Sequence, residues 1–254
     1  AGPANKQGRI AADNICGRDS RFTGSQGSSI IKIFGMTAAV TGINEKTAKA
    51  AGIPFDKVIT MPPSHATYYP GARNMTIKTL FHPETGKILG AQIVGFEGVD
   101  KRIDVMATAI RAGMDATDLT ELDLSYAPPY SSAKDPVNMA GYVIENLLTG
   151  VTKQYQWYDV ETLPRDGSVT LLDTRTRGEY ARGHIPGTIN IPLDELREHL
   201  DELDVTKPIY VNCHSGQRSY IACRILQQNG FTCYNLAGGF RFYQTIMEDK
   251  FDGT

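Results

Sequence analysis

Cysteine is scarce: the 254 residues contain four, Cys16, Cys213, Cys223 and Cys233, with no C-x-x-C pair and no regular spacing. A disulfide framework needs paired cysteines in a short secreted chain, so reduced thiols are expected instead. An excess of charge of either sign is missing too, since 26 Lys and Arg face 28 Asp and Glu with no basic block. Nothing here offers a phosphate backbone a footprint, and no nucleic-acid partner is expected. No apolar run approaches the ~18 residues of a membrane helix, and Ala1-Gly2-Pro3-Ala4-Asn5-Lys6 carries no apolar signal region. The expectation is a cytoplasmic protein without a membrane partner.

Two glycine fingerprints that cradle nucleotide phosphates, G-x-G-x-x-G after a strand and G-x-x-x-x-G-K, are also missing. The five histidines, His65, His82, His184, His199 and His214, show no paired ligand spacing, so no metal centre is expected. There is no initiator Met, and Gln7 to Ile15 reads as a helix already under way. The chain is therefore read as a piece of a longer protein.

What is present divides near residue 150. Ile30-Ile31-Lys32-Ile33-Phe34 and Val58-Ile59-Thr60-Met61 read as strands, with a short helix from Glu45 to Ala51 between them, stopped by Gly52. Met75 to Phe81 and Lys87 to Gly95 flank the turn-rich His82-Pro83-Glu84-Thr85-Gly86, which fits an antiparallel hairpin. Val99 to Ala112 places Ile103, Met106, Ala107 and Ile110 at helical spacing, and Gly113 ends it. Asp135 is a plausible N-cap and Pro136 suits the first turn of a helix running to about Leu148. This first part reads as α+β. From Tyr158 short strands and helices alternate through Val169-Leu172, Leu193-Leu203, Ile209-Asn212, Ser219-Asn229 and Thr232-Leu236. Such alternation indicates an α/β domain with a parallel sheet.

The strongest chemical signal is Val211-Asn212-Cys213-His214-Ser215-Gly216-Gln217-Arg218-Ser219, a strand running into a short loop that opens a helix. There, backbone N–H groups and the helix dipole converge on a sulfur, so a thiolate or persulfide is expected inside the loop. Gly216 permits the tight curve, Arg218 adds a positive charge, and His214 is a group able to titrate near neutrality. Asp173, Arg175, Glu179 and His184 are read as charged residues that satisfy one another, and Cys223 and Cys233 as core.

With Asp173-Thr174-Arg175, the run from Glu179 to Pro192, and Leu236-Ala237-Gly238-Gly239, this loop resembles the rhodanese family over about residues 155–245. The resemblance implies that Cys213 accepts sulfur as a persulfide, cradled by the main-chain amides of His214, Ser215, Gly216, Gln217 and Arg218. The spacing Cys213 to Arg218, C-x-x-x-x-R, is one residue shorter than in the related phosphatases, which favours sulfur over phosphorus chemistry.

Residues 1–150 carry tyrosines in irregular segments, Tyr68-Tyr69-Pro70-Gly71 and Tyr126-Ala127-Pro128-Pro129-Tyr130. Together with Ala38-Ala39-Val40-Thr41-Gly42 and Tyr126 to Pro136, they resemble the dimerisation domain of the FAD-dependent pyridine nucleotide–disulfide oxidoreductases. The coenzyme A-disulfide reductase branch, with its rhodanese-fused members, fits best. Gly2 to Arg9 resembles the last element of the flavin domain, so Ala4, Asn5 and Gln7 are implied FAD contacts. Tyr68 and Tyr126 are the implied catalytic tyrosines, with adjacent Tyr69 and nearby Tyr130 as the register alternatives. The implied organisation is a flavin-domain tail over 1–24, a dimerisation domain over 25–150 and a rhodanese domain over 151–254.

The implied parent is a homodimeric FAD- and NAD(P)H-dependent reductase of coenzyme A disulfide, persulfides or polysulfide, with coenzyme A as substrate or ligand. Two alternatives stand beside it: an NADH oxidase or peroxidase with a regulatory rhodanese module, and a non-catalytic module for dimerisation and anion binding.

Overall fold

The computed structural model describes residues 1–251, so the end of the expected second domain, 252–254, lies outside the described residues. Helix α1 (Gly2–Ile15) starts with proline in its first turn and buries no residue. Five antiparallel strands follow: β1 (Ser29–Ile33), β2 (Met36–Gly42), β3 (Asp56–Thr60), β4 (Thr76–Phe81) and β5 (Ile88–Gly95), in the order β1-β2-β5-β4-β3. The expected hairpin is β4–β5, pairing Ile77 with Ile93. Between β2 and β3 runs α2 (Glu45–Ala50), capped by Asn44.

Helix α3 (Val99–Ala112) ends at Gly113 in the left-handed region, and α5 (Pro136–Leu148) starts from the Asp135 cap, as the sequence predicts. Between them lies α4 (Ala116–Glu121), which the sequence reading leaves out: at six residues it is too short to display a helical period. Strand β2 also lay unassigned, because its small residues Ala38 and Ala39 carry little β signal. Ile77 and Ile93 from the sheet, Met106 from α3, Leu119 from α4 and Val137 and Ile144 from α5 share one core. Each such side chain contributes about 1.5–3 kcal/mol relative to exposure. Strand β1 is different. It is exposed at every position despite its apolar run, and Phe34 at the following turn is 98% exposed.

The second sheet is wholly parallel, in the order β6-β10-β9-β7-β8, from β6 (Gln154–Tyr155), β7 (Thr170–Asp173), β8 (Ile189–Asn190), β9 (Ile209–Asn212) and β10 (Cys233–Leu236). Its helices are α6 (Arg177–Ala181), α7 (Gln217–Gln228) and α8 (Gly239–Phe251). One core, with Leu172, Val211 and Leu226, lies under α7, and a second joins Tyr155, Ile185, Leu236 and Phe240 beside α8. Burial on both faces explains the unalternating apolar strands. Leu193–Leu203, expected within a helix–strand alternation, forms two 3-10 turns, Leu196–Glu198 and Leu200–Glu202, parted at His199 with φ −118°. Leu196 is buried and the turns lay no continuous helical face on the sheet.

The two sheets meet at edge strands. Gln154 Nε2 donates to the Lys57 carbonyl of β3 at 2.7 Å, which occupies an open edge position. Lys57 Nζ lies over the Tyr158 ring, 4.9 Å from its centroid, while pairing with Glu45 at 2.8 Å. Among the described residues no helix is long and apolar enough to cross a membrane.

Candidate functional site

Strand β9 delivers Cys213 to the tip of the second sheet, where the chain turns through Gly216 at φ +100° into α7. The Cys213 side chain is 1% exposed. Its Sγ accepts the Gly216 N–H at 3.1 Å and the Ser219 hydroxyl at 3.2 Å. Of the five amides expected to cradle the sulfur, Gly216 is the one within bonding distance. Ser219 is a donor that sequence reasoning missed; its signal is position, since a residue in the first turn of α7 faces back over the loop. Ser215 is half-buried and Gln217 exposed, both on the rim.

The other side of the loop is held by the start of α8. The Phe240 N–H donates to the Cys213 carbonyl at 2.7 Å and the Arg241 N–H to the His214 carbonyl at 3.0 Å, while Asn235 Nδ2 donates to the Gly216 carbonyl at 3.1 Å. This closeness requires glycine at 239. A Cβ there would lie 2.7 Å from the His214 oxygen and 2.8 Å from the Cys213 oxygen, on a backbone at φ +65°. Gly238-Gly239 therefore belongs to the site, though it stands more than twenty residues from the cysteine.

Arg218 is less free than its expected role requires. Its guanidinium forks onto Glu179 at 2.8 and 2.7 Å, and that pairing with Arg218 holds the Glu179 carboxyl at about 2. Asp173 and Arg175 form a buried pair at 2.7 Å, and Arg175 also covers the Phe240 ring. His184 stacks on Tyr180 at 3.8 Å. Burial, and then the charge of Arg241, push the His214 imidazole below its ordinary value. Cys223 and Cys233 are both buried. Cys233 Sγ donates to the Cys223 carbonyl at 3.3 Å, while the hydrogen bond with Cys233 and burial push the Cys223 thiol up. Both belong to the core under α7.

In the first domain, Tyr68 and Tyr126, 58 residues apart, meet hydroxyl to hydroxyl at 2.8 Å. They are 74% and 47% exposed, and the bond to Tyr68 raises the Tyr126 phenol above its usual value. Tyr69 instead packs edge-on against His65. Tyr130 is exposed, and its carbonyl accepts from Arg102. Beneath Tyr126 opens a cleft of about 470 Å³ bounded by His65, Gly98, Lys101, Arg102 and Tyr130. Ala4, Asn5 and Gln7 stand exposed on α1. Among the described residues no group of three or more His, Cys, Asp or Glu is placed to hold a metal ion.

Two domain families match. The dimerisation domain of pyridine nucleotide-disulphide oxidoreductases covers residues 28–136, and the rhodanese-like domain covers 157–245. The chain thus joins a pyridine nucleotide-disulphide oxidoreductase dimerisation domain to a rhodanese-like domain. Its two domains are those of the CoADR-RHD and NAD-dependent persulfide reductase type. The solved structure of reduced Bacillus anthracis CoADR-RHD is 48% identical and superposes with TM-score 0.93 over 97% of this chain and 44% of that one. An NAD-dependent persulfide reductase from A. fulgidus is 41% identical, with TM-score 0.84 over 94% of this chain and 43% of that one. Coenzyme A disulfide reductase of Staphylococcus aureus is 38% identical over 140 residues, 55% of this chain and 32% of that protein. The chain therefore spans less than half the length of these relatives.

Proposed function

We propose that this chain is the sulfur-carrying and subunit-pairing part of an FAD- and NAD(P)H-dependent reductase of coenzyme A disulfide, persulfides or polysulfide. The observation that carries this reading is the Cys213 sulfur, enclosed and met by the Gly216 N–H and the Ser219 hydroxyl, on the same chain as a joined pair of tyrosine hydroxyls. The Cys213 thiolate attacks the outer sulfur of a persulfide R–S–SH. A new sulfur–sulfur bond forms, the old one breaks, and R–S⁻ leaves as a thiolate with no net oxidation. The negative charge on the outer sulfur then needs N–H donors and shelter from water, which a loop at a helix start provides.

In the homodimer, the first domain brings Tyr68 and Tyr126 to the partner subunit's redox centre. Each phenol has one O–H to give, and one of the two remains available for a departing thiolate. The first turn of α1 holds no acidic residue and no side-chain cap, so its free N–H groups fit an electron-rich ring; Ala4, Asn5 and Gln7 would supply this chain's contacts to the flavin. Bound there, the flavin supplies electron transfer from the pyridine nucleotide to sulfur.

The test is mass spectrometry after exposure to thiosulfate or polysulfide, with Cys213→Ser alongside. One added sulfur atom on Cys213, and loss of sulfur transfer to cyanide in the variant, are expected. Undiminished transfer in Cys213→Ser would overturn the assignment.

A further inference from the structure

The most deeply buried cation of the first domain is a guanidinium that the chemistry above does not use. Arg102 is 1% exposed on the core-facing side of α3, in line with Val99, Ile103 and Met106. A buried ion pair is seldom a net gain over apolar side chains of the same size, so its presence points to a task other than stability.

The task is legible in what the guanidinium reaches. Its Nε and Nη2 donate to the Asp135 carboxylate at 3.2 and 2.9 Å, and Nη2 also reaches the Ser131 hydroxyl at 3.1 Å and the Tyr130 carbonyl at 3.3 Å. Nη1 donates to the Gly98 carbonyl at 3.3 Å. Burial alone would raise the Asp135 carboxyl, but the Val137 N–H and Arg102 outweigh it and hold it low. One residue earlier, Lys101 Nζ donates to the Ser125 carbonyl at 3.3 Å. Tyr126 is thus suspended between two carbonyls, each bound by a cation of α3.

The second tyrosine hangs from the same network. The Ser131 carbonyl accepts the Ala66 N–H at 3.0 Å, and Tyr68 lies two residues beyond. The space for the fork is reserved: a Cβ at Gly98 would lie 2.2 Å from Arg102 Nη1. Lysine could keep the charge but could not bind Asp135, Ser131 and two carbonyls together.

We propose that Arg102 is the positioning residue of the Tyr68–Tyr126 pair, holding two loops so that their hydroxyls share one hydrogen bond and leave one donor for a sulfur leaving group. This rests on the tyrosine role proposed above. A loop released by about 1 Å at a reacting centre costs roughly 10²-fold in rate.

The experiment uses the full-length reductase containing this chain, with Arg102→Lys, Tyr126→Phe and both together, and with 3-fluorotyrosine NMR of Tyr68 and Tyr126. Arg102→Lys should fold, keep the KM for the pyridine nucleotide and lose about 10²-fold in kcat. Adding it to Tyr126→Phe should cost little more, as expected for groups that act as a unit. In the parent, Tyr68→Phe should shift the Tyr126 fluorine signal; in Arg102→Lys it should not. Unchanged kcat, additive losses, or a retained fluorine coupling would overturn the proposal. If Arg102→Lys does not fold, Arg102→Met with Asp135→Asn, which removes both charges, carries the same readouts. If Tyr126→Phe alone keeps full activity, the catalytic reading falls and the fluorine coupling by itself decides the role of Arg102.

Discussion

The two candidate sites are built on opposite plans. Around Cys213, both donors to the sulfur lie within six residues of it, and the buried cysteine sits on a loop between one strand and the start of α7, backed by the start of α8. Around Tyr68 and Tyr126 the two phenols are 58 residues apart and exposed, and the loops that carry them are bonded to a network around a buried ion pair that neither contains. Each domain holds a buried Arg–Asp pair, yet Asp173 and Arg175 are two residues apart, whereas Arg102 and Asp135 are 33 apart. The difference teaches where precision comes from. A local site takes its geometry from backbone conformation, and a distributed site must import it through long-range polar contacts.

The sharpest way to separate the two plans is to remove one nucleophile. On the proposed function, Cys213→Ser should abolish sulfur transfer to cyanide while leaving reduction of coenzyme A disulfide by the full-length protein intact. Equal loss of both activities would mean that the sites do not work separately.

Glycine substitutions probe the packing of each plan. Gly239→Ala forces a side chain into the Cys213 loop at φ +65°, and Gly98→Ala forces one into Arg102 at φ +70°. Each should cost at least about 1–3 kcal/mol from backbone conformation alone, read from urea unfolding. Gly239→Ala should impair sulfur transfer and Gly98→Ala the tyrosine-dependent step. The reverse pattern would break the comparison.

A smaller effect is expected for Ser219→Ala, which removes one donor to Sγ without disturbing the loop backbone. One hydrogen bond to a charged group is worth about 1.5–3 kcal/mol, so sulfur transfer should slow by roughly ten- to a hundredfold. An unchanged rate would reduce Ser219 to a packing role.

The smallest effect is one of pH. Glu179 is held at about 2 against an ordinary 4.5, chiefly by Arg218. A carboxyl depressed in the folded state stabilises fully above its unfolded value and loses that contribution as pH falls through the folded one. The Arg218–Glu179 tie should therefore act unchanged above about pH 4.5 and fade toward pH 2. Because the pair is partly exposed and screened, the change should be under about 1 kcal/mol. Glu179→Gln should flatten it in acid titrations of unfolding.

Sequence alone established much of this. The amphipathic period of α3, the Asp135-Pro136 start of α5, the β4–β5 hairpin and the strand-loop-helix around Cys213 are local patterns, readable because period and capping act within a few residues. Arg102 stood in plain view on the apolar face of α3, an anomaly that only a partner 33 residues away explains. The short α4 and the small-residue strand β2 were beyond local rules, as was the exposure of β1, itself read as a strand, because neighbours rather than propensity decide them. Tertiary structure decided that Tyr68 and Tyr126, rather than Tyr69 and Tyr130, bring their hydroxyls together, that Arg218 is bound to Glu179, and that Gly239 closes the Cys213 loop. The physical reason is the same in each case: residue identity and spacing fix a backbone turn, whereas a contact between distant segments exists only once the chain has packed.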